Sequence, residues 1–430
     1  MNKEIKMIPE IRFPEFANKG KWDNKPISKL GETVNGLSGK KGADFGSGRP
    51  YVQYKQVFDK SFIDFTECGK VDVGDDENQN QLQLGDILFT TSSETPDEVG
   101  FASVITKQPE EPTYLNSFCF ILRPNDLDEI NPDFSRYLFH SPIYRKSVSA
   151  IAQGSTRYNL SKKAFLKLRV PVPSTPEEQQ KIASCLSSLD ELIAAHNDKL
   201  DALKDHKKGL LQNLFPQEGE TVPKVRFPDF EGDGEWELKP LEELCKLVRG
   251  PFGGALKKEI FVEEGYAVYE QSHAIYSDFR YFRYRINEEK YNELKRFSVR
   301  AGDLIMSCSG TMGKFSMIPD DSEPGVINQA LLKLSVRNGN DIFFVKTSLE
   351  TDTNQRKLLS QSAGGAIKNV VSVSQIRILE LAVPKMREQQ KIASCLSAVD
   401  ELITAQQEKI EQLQQHKKGL MQGLFPKIES

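Results

Sequence analysis

The residue types that usually carry catalysis are present in this chain but are not grouped. Six cysteines are scattered through 430 residues, with no C-x-x-C pair and no ligand-like spacing against the five histidines. No metal site is therefore expected, and a reduced, cytoplasmic setting is. Histidine and serine form no recognisable nucleophile, base and orienter set at this level. No G-x-x-x-x-G-K-[ST] loop is present to hold a triphosphate, so ATP hydrolysis through a P-loop is not expected. The one run with a distinctive chemistry is FRYFRYRI, Phe279 to Ile286, in which basic and aromatic residues alternate. Such a run could stack on or track nucleic acid. Alternation is also the mark of an exposed strand with one buried face, and that reading is adopted.

What would position any site is a stretch that occurs twice. Gln179 to Pro216 and Gln389 to Pro426 are identical at about 25 of 38 positions, which is a duplication. In the first copy Ile182, Leu186, Leu189, Ile193, His196, Leu200, Leu203, Lys207, Leu210 and Leu214 follow at steps of four and three. The second copy repeats the rhythm with Ile392, Leu396, Val399, Ile403, Gln406, Ile410, Leu413, Lys417, Leu420 and Leu424. A 3.5-residue apolar repeat sustained over about five heptads is a coiled-coil seam. Each helix would be about 55 Å long, and the natural partner for each seam is the other copy. His196 and Gln406 interrupt the seam near its middle, either fixing register at some cost in stability or as tolerated imperfections. Cys185 and Cys395 flank it and read as small apolar residues.

Roughly 170 residues lie between the two helices, enough for one domain of radius near 15 Å whose termini lie close together. An antiparallel pair needs such a domain only to enter and leave at one end. The expected architecture is α+β: two mixed α/β domains joined by two long helices paired as an antiparallel coiled coil, with a pseudo-two-fold axis. The expected boundaries are residues 1–173 and 217–384 for the domains, and 174–216 and 385–430 for the helices.

The domains are duplicated too. Arg12-Phe13-Pro14 answers Arg226-Phe227-Pro228, and Trp22 answers Trp236. GDILFTTSSE from Gly85 matches GDLIMSCSGTMG from Gly302, each a turn, a short apolar strand and a hydroxyl-rich loop. TYLNSFCFIL around Asn116 matches GVINQALLKL around Asn328, each reading as a strand. A glycine turn follows at Gly154 or Gly364, and a last strand ends in RVPVP or ELAVP. Thr175-Pro176-Glu177-Glu178 carries a complete set of helix-start signals: a hydroxyl N-cap, proline at the first helical position and glutamate at the third. The second helix begins after Pro384 without a comparable cap.

The net charge of −4 argues against a protein that coats nucleic acid by itself, while leaving room for a local basic face completed by partner subunits. No apolar run approaches a membrane span, and MNKEIKMIPEIRF lacks an apolar signal core, so neither insertion nor export is expected.

The order of domain, long helix, domain, long helix resembles the specificity subunit of type I restriction-modification systems. The resemblance rests on the RFP-x-F openings followed by tryptophan, the GDIL-type turn, a VPVP or AVP strand running into EQQKIASCL, and helices closing on HKKGL and LFP. It covers essentially the whole chain. It implies a non-catalytic subunit of a type I site-specific deoxyribonuclease and adenine methyltransferase complex. Each domain would be a target recognition domain reading one half of a split, asymmetric sequence in double-stranded DNA, and the helices would set the gap. Two modification subunits carrying S-adenosylmethionine and methylating adenine at N6 would dock on the helices, and restriction subunits using ATP and magnesium would join them. This chain itself would hold no cofactor.

Within that reading, Lys40 and Lys41 are the expected phosphate ligands of the first domain. Gln53, Tyr54 and Lys55 are candidates for base edges, with Ser92 and Arg157 on nearby loops. The second-domain candidates are Lys257 and Lys258, Glu270 and Gln271, then Ser309, Lys314 and Lys368. Amide side chains can bind adenine bidentately, and Lys or Arg can bind guanine or phosphate. For each, the alternative is an ordinary solvated side chain. Asn131-Pro132-Asp133-Phe134 is faintly similar to the N-P-P-[FY] motif of adenine methyltransferases. It reads instead as a helix start, with Asn131 as cap. Heptads alone would also permit a coiled-coil scaffold with protein-binding end domains, which would show no salt-dependent, sequence-selective DNA binding.

Overall fold

Both repeated stretches fold as unbroken helices, Pro176–Leu214 of 39 residues and Met386–Gly423 of 38, each about 57 Å long at the standard rise. The computed structural model describes residues 7–252, 254–360 and 373–427. It divides into two units: residues up to Asn197 together with those from Glu408, and Asp198–Gln407. Each long helix thus contributes one part to each unit.

In the first unit Ile182, Ala183 and Leu186 share a core with Leu424 and Phe425, while Lys417 pairs with Asp190 further along. Ascending one helix means descending the other, so the two segments are antiparallel. The second unit repeats this: Ile392, Ala393 and Leu396 share a core with Leu214 and Phe215, and Lys207 Nζ lies 2.6 Å from Asp400. The two lysines at seam positions are there to meet these aspartates. Along the seam Ile182, Leu186, Leu189, Leu200, Ile392, Leu396, Val399, Gln406, Ile410 and Leu413 are buried, and Ile193, His196, Leu203 and Ile403 are half-buried.

Each domain is built on a four-stranded antiparallel sheet, ordered Gly31–Asn35, Cys119–Pro124, Ile87–Thr90, Ala102–Val104 in the first and Cys245–Arg249, Leu331–Val336, Leu304–Ser307, Phe315–Met317 in the second. The GDIL-type strand is buried on both faces because it divides two cores. Ile87 and Phe89 face one core and Leu88 the other; Leu304 and Met306 face one and Ile305 the other. Successive side chains of a strand point to opposite faces, so a strand lying between two cores must be apolar throughout.

The stretch around Asn116 is not one strand. Tyr114–Leu115 pairs in parallel with Phe45–Val52 in a small second sheet, whereas Cys119–Pro124 belongs to the large one. Asn116 makes the turn between them, its Oδ1 accepting from Phe118 N at 2.8 Å, and Asn328 repeats the bond with Ala330 N at 3.0 Å. The chain can cross here only because glycine passes beside it. A Cβ on Gly36 would sit 2.3 Å from the Asn116 carbonyl oxygen, and one on Gly250 would sit 1.8 Å from that of Asn328. Gly250→Ala is expected to cost about 1–3 kcal/mol through the forced backbone shift. A thermal-denaturation midpoint equal to that of the unaltered chain would show that the crossing can open without cost.

Two further expectations are corrected. Arg285–Ile286 is the only strand within FRYFRYRI; Phe279 to Tyr284 is a loop whose Phe282 is buried against Tyr269 and His273. At Thr175 the capping box does not form. Pro176 does begin the helix, but Thr175 Oγ1 is buried without a hydrogen-bond partner among the described residues, and the Glu178 carboxylate is used elsewhere. By contrast Asn131 does cap the helix Pro132–Leu138, accepting from Phe134 N at 3.1 Å.

Glu178 instead closes a clasp. Arg12 Nε and Nη2 each donate to its carboxylate at 2.7 Å, Trp22 Nε1 donates to the same carboxylate at 3.0 Å, and Arg12 Nη1 donates to the Gly20 carbonyl at 2.6 Å. In the second unit Arg226 meets Glu388 at 2.7 Å twice and Gly234 at 2.6 Å, but Trp236 Nε1 is buried with no hydrogen-bond partner among the described residues. Lys181 lies 5.6 Å from the Phe13 ring centre and Lys391 5.6 Å from that of Phe227. The RFP opening and the EQQK helix start are thus two halves of one structure. The LFP ends complete it: Phe425 packs on Trp22 and Phe134, and Phe215 on Trp236 and Phe344.

Candidate nucleic-acid interface

In the first domain the strand Phe45–Val52 delivers Gln53 and Tyr54 to the start of the helix Tyr54–Asp59. The Tyr54 hydroxyl donates to the Ser92 carbonyl at 2.6 Å, and the strand Tyr158–Asn159 pairs with Ser92–Ser93. Three of the segments chosen from the sequence, around Gln53, Ser92 and Arg157, therefore meet at one edge. Gln53 and Arg157 are exposed there, whereas Ser92 is buried. Lys55 is exposed but paired with Asp59.

Lys40 and Lys41 are not at that edge. They precede the strand Phe45–Val52 and Gln53 follows it; the strand bulges, with Phe45 and Arg49 both opposite Val71, so its regular part, Arg49–Val52, about 10 Å long, separates them. Lys40 is held by Glu77, whose carboxyl is pushed down to about 2, chiefly by the lysine's hydrogen bond. Lys41 is exposed.

The second domain builds the matching edge differently. Gln271 begins the helix Gln271–Tyr276, its amide accepting from Ser309 Oγ at 3.0 Å and donating to the carbonyls of Ser309 and Thr311. Both ends of the amide are thus engaged inside the protein. Glu270 caps that helix and is half-buried. Lys314 is exposed, with its backbone N–H bonded to Ser307 Oγ at 3.0 Å. Lys257 and Lys258 are exposed beside the short helical turn Lys258–Ile260. Lys368 and the Gly364 turn lie outside the described residues.

Three of the thiols are held away from chemistry by burial. Burial pushes Cys245 up to about 12 and Cys68 and Cys308 up to about 11, so these remain neutral packing groups. Sequence reasoning missed the clasp altogether, although its signal was present in the paired recurrence of RFP and EQQK.

A repeated framework that holds its domain edges on two long helices is a recognition architecture, and the comparisons name it. A family model described as the type I restriction modification DNA specificity domain matches residues 19–205 and again 233–415. The chain belongs to this family, and it is a specificity subunit of a type I restriction-modification system. The MjaX specificity subunit of Methanocaldococcus jannaschii, a putative type I restriction enzyme subunit, is 26% identical over 415 residues, covering 94% of this chain and 92% of that one. The EcoKI specificity subunit of Escherichia coli K12 is 25% identical over 236 residues, covering 53% and 49%. Among solved structures, the S subunit of the M. genitalium type I system superposes with a TM-score of 0.58 at 15% identity, over 98% of this chain and 100% of that one. A chain from work on complex assembly and conformational transition of the type I R-M system gives 0.60 at 15% identity, over 94% and 97%. These two likenesses speak for the fold.

Proposed function

We propose that this chain is the non-catalytic reader of a type I complex. Its two domains, residues 1–173 and 217–384, each bind one half of a split, asymmetric target in double-stranded DNA, and the long helices set the gap. The observation that carries this reading is the contrast between framework and edge. The clasp ion pairs, the spacing of the seam and the strand crossings beside glycine recur in both units, whereas Gln53 and Tyr54 at one edge answer to Glu270 and Gln271 at the other. Two domains so alike in framework and so different at their edges read different bases.

The helices carry a second signal. Core packing accounts for the repetition of the seam, but Leu192 is 44% exposed and its counterpart Leu402 is 57% exposed. An exposed leucine repeated in both copies supports two equivalent contacts with one kind of partner, which we assign to two modification subunits. S-adenosylmethionine, ATP and magnesium then belong to the modification and restriction subunits, and the complex acts in the cytoplasm.

The test is single-molecule sequencing of source-cell DNA with and without this gene, scoring N6-methyladenine. Loss of one split motif is expected. An unchanged methylome in cells whose modification subunit is expressed would overturn the reading.

A further inference from the structure

The second domain carries an element at its reading edge that the first lacks. In the first domain the segment between the helix Tyr54–Asp59 and the strand Gly69–Val71 reads KSFIDFTEC. Its one cation, Lys60, pairs with Glu67 at 2.6 Å. In the second domain the equivalent segment, between the helix Gln271–Tyr276 and the strand Arg285–Ile286, reads SDFRYFRY. It sets two guanidiniums against a single carboxylate, and Arg280 already meets that carboxylate, Asp278, at 2.7 Å.

The loop is held firmly. Phe279 and Phe282 stack on the His273 ring. Glu270 N donates to His273 Nδ1 at 2.8 Å, which leaves Nε2 as the protonated nitrogen facing the Tyr281 carbonyl at 3.1 Å. Ser316 Oγ donates to Ser277 Oγ at 2.7 Å, two residues along the chain from Lys314. Anchored in this way, the loop turns the side chains of Tyr276 and Tyr281 outward, each 75% exposed. Arg283 is exposed too, its guanidinium 4.9 Å from the Tyr284 ring centre. Gln271 stands at the other end of a helix six residues long, so Tyr276 lies about 7.5 Å along its axis from the candidate edge, and the loop returns to the same helix where Tyr281 meets His273.

We propose that Tyr281 and Arg283 are phosphate-binding residues that position the second domain on duplex DNA, with no counterpart in the first domain. The inference rests on the function proposed above. Arginine and tyrosine side chains both serve as phosphate donors, and such contacts set register without reading sequence.

The experiment uses the full chain assembled with its modification subunit and a duplex of about 40 base pairs carrying the motif mapped by methylation. Arg283→Gln is expected to weaken binding roughly three- to tenfold and to lower the slope of log affinity against log salt by about 0.9, with the methylated motif unchanged. Tyr281→Phe, which removes only the hydroxyl, weakens binding in the same direction with the same motif and an unaltered melting temperature. Unchanged affinity and slope in both variants would overturn this inference while leaving the proposed function standing. A wild-type complex with no sequence-selective binding would overturn both.

Discussion

Arg12→Ala is expected to lower the stability of the first unit by about 3–5 kcal/mol, because it leaves the Glu178 carboxylate buried without its cation. The side chains of Arg12 and Glu178 are 8% and 1% exposed, so water cannot replace the lost partner. Spread over a unit of this size, the loss corresponds to a fall of about 6–20 °C in melting temperature. Arg226→Ala should act likewise on the second unit, where Glu388 is also 1% exposed. Replacing both members of the first clasp with methionine should recover much of the loss, since a buried pair contributes little net stability over a well-packed apolar one. Thermal denaturation of the full chain measures all three. A drop of less than about 2 °C for Arg12→Ala would mean that the ion pair does not hold the domain opening to its helix. Breaking this pair costs more than breaking a local cap because it strands a charge that is 1% exposed.

The second large effect concerns spacing. One four-residue turn inserted between Ile193 and Leu200, together with one between Ile403 and Ile410, leaves the Asp190–Lys417 and Lys207–Asp400 pairs outside the altered segments. Each insertion adds about 6 Å of helix, against about 3.4 Å per base pair. A four-residue stutter disturbs a seam only locally. The methylated motif is expected to keep both half-sites while its gap grows by one or two base pairs, as read by N6-methyladenine sequencing. Altered half-sites with an unchanged gap would remove the spacing role from these helices.

The two predictions differ in where their information lies. The seam was legible because a 3.5-residue repeat is a local property of the chain, and it pointed to two long helices and to each as the other's partner. The central GDIL strand was legible for the same reason, as a short apolar run after a glycine turn. FRYFRYRI misled because alternation fits both a strand and an anchored loop. The choice fell to His273, which stacks on Phe279 and Phe282 and holds them out of any sheet. Thr175 and Glu178 misled because a capping box is a local preference worth about 1 kcal/mol, and a long-range ion pair outbid it.

The candidate interface divides in the same way. That Gln53, Ser92 and Arg157 belong together could be suspected from their loops. Their meeting is decided by Tyr54 reaching the Ser92 carbonyl and by the pairing of Tyr158 with Ser93. That Lys40 and Lys41 stand at the far end of a strand from Gln53 follows only once residues 45–52 are known to form a bulged strand. The sequence by itself determined the duplication, the two helices with their seam, and the family landmarks, because each of these is written in spacings within a few turns of chain. The tertiary structure decided the clasps, the strand crossings beside Gly36 and Gly250, and the make-up of each candidate edge. Those depend on contacts between residues tens to hundreds of positions apart, whose free energy no local pattern encodes.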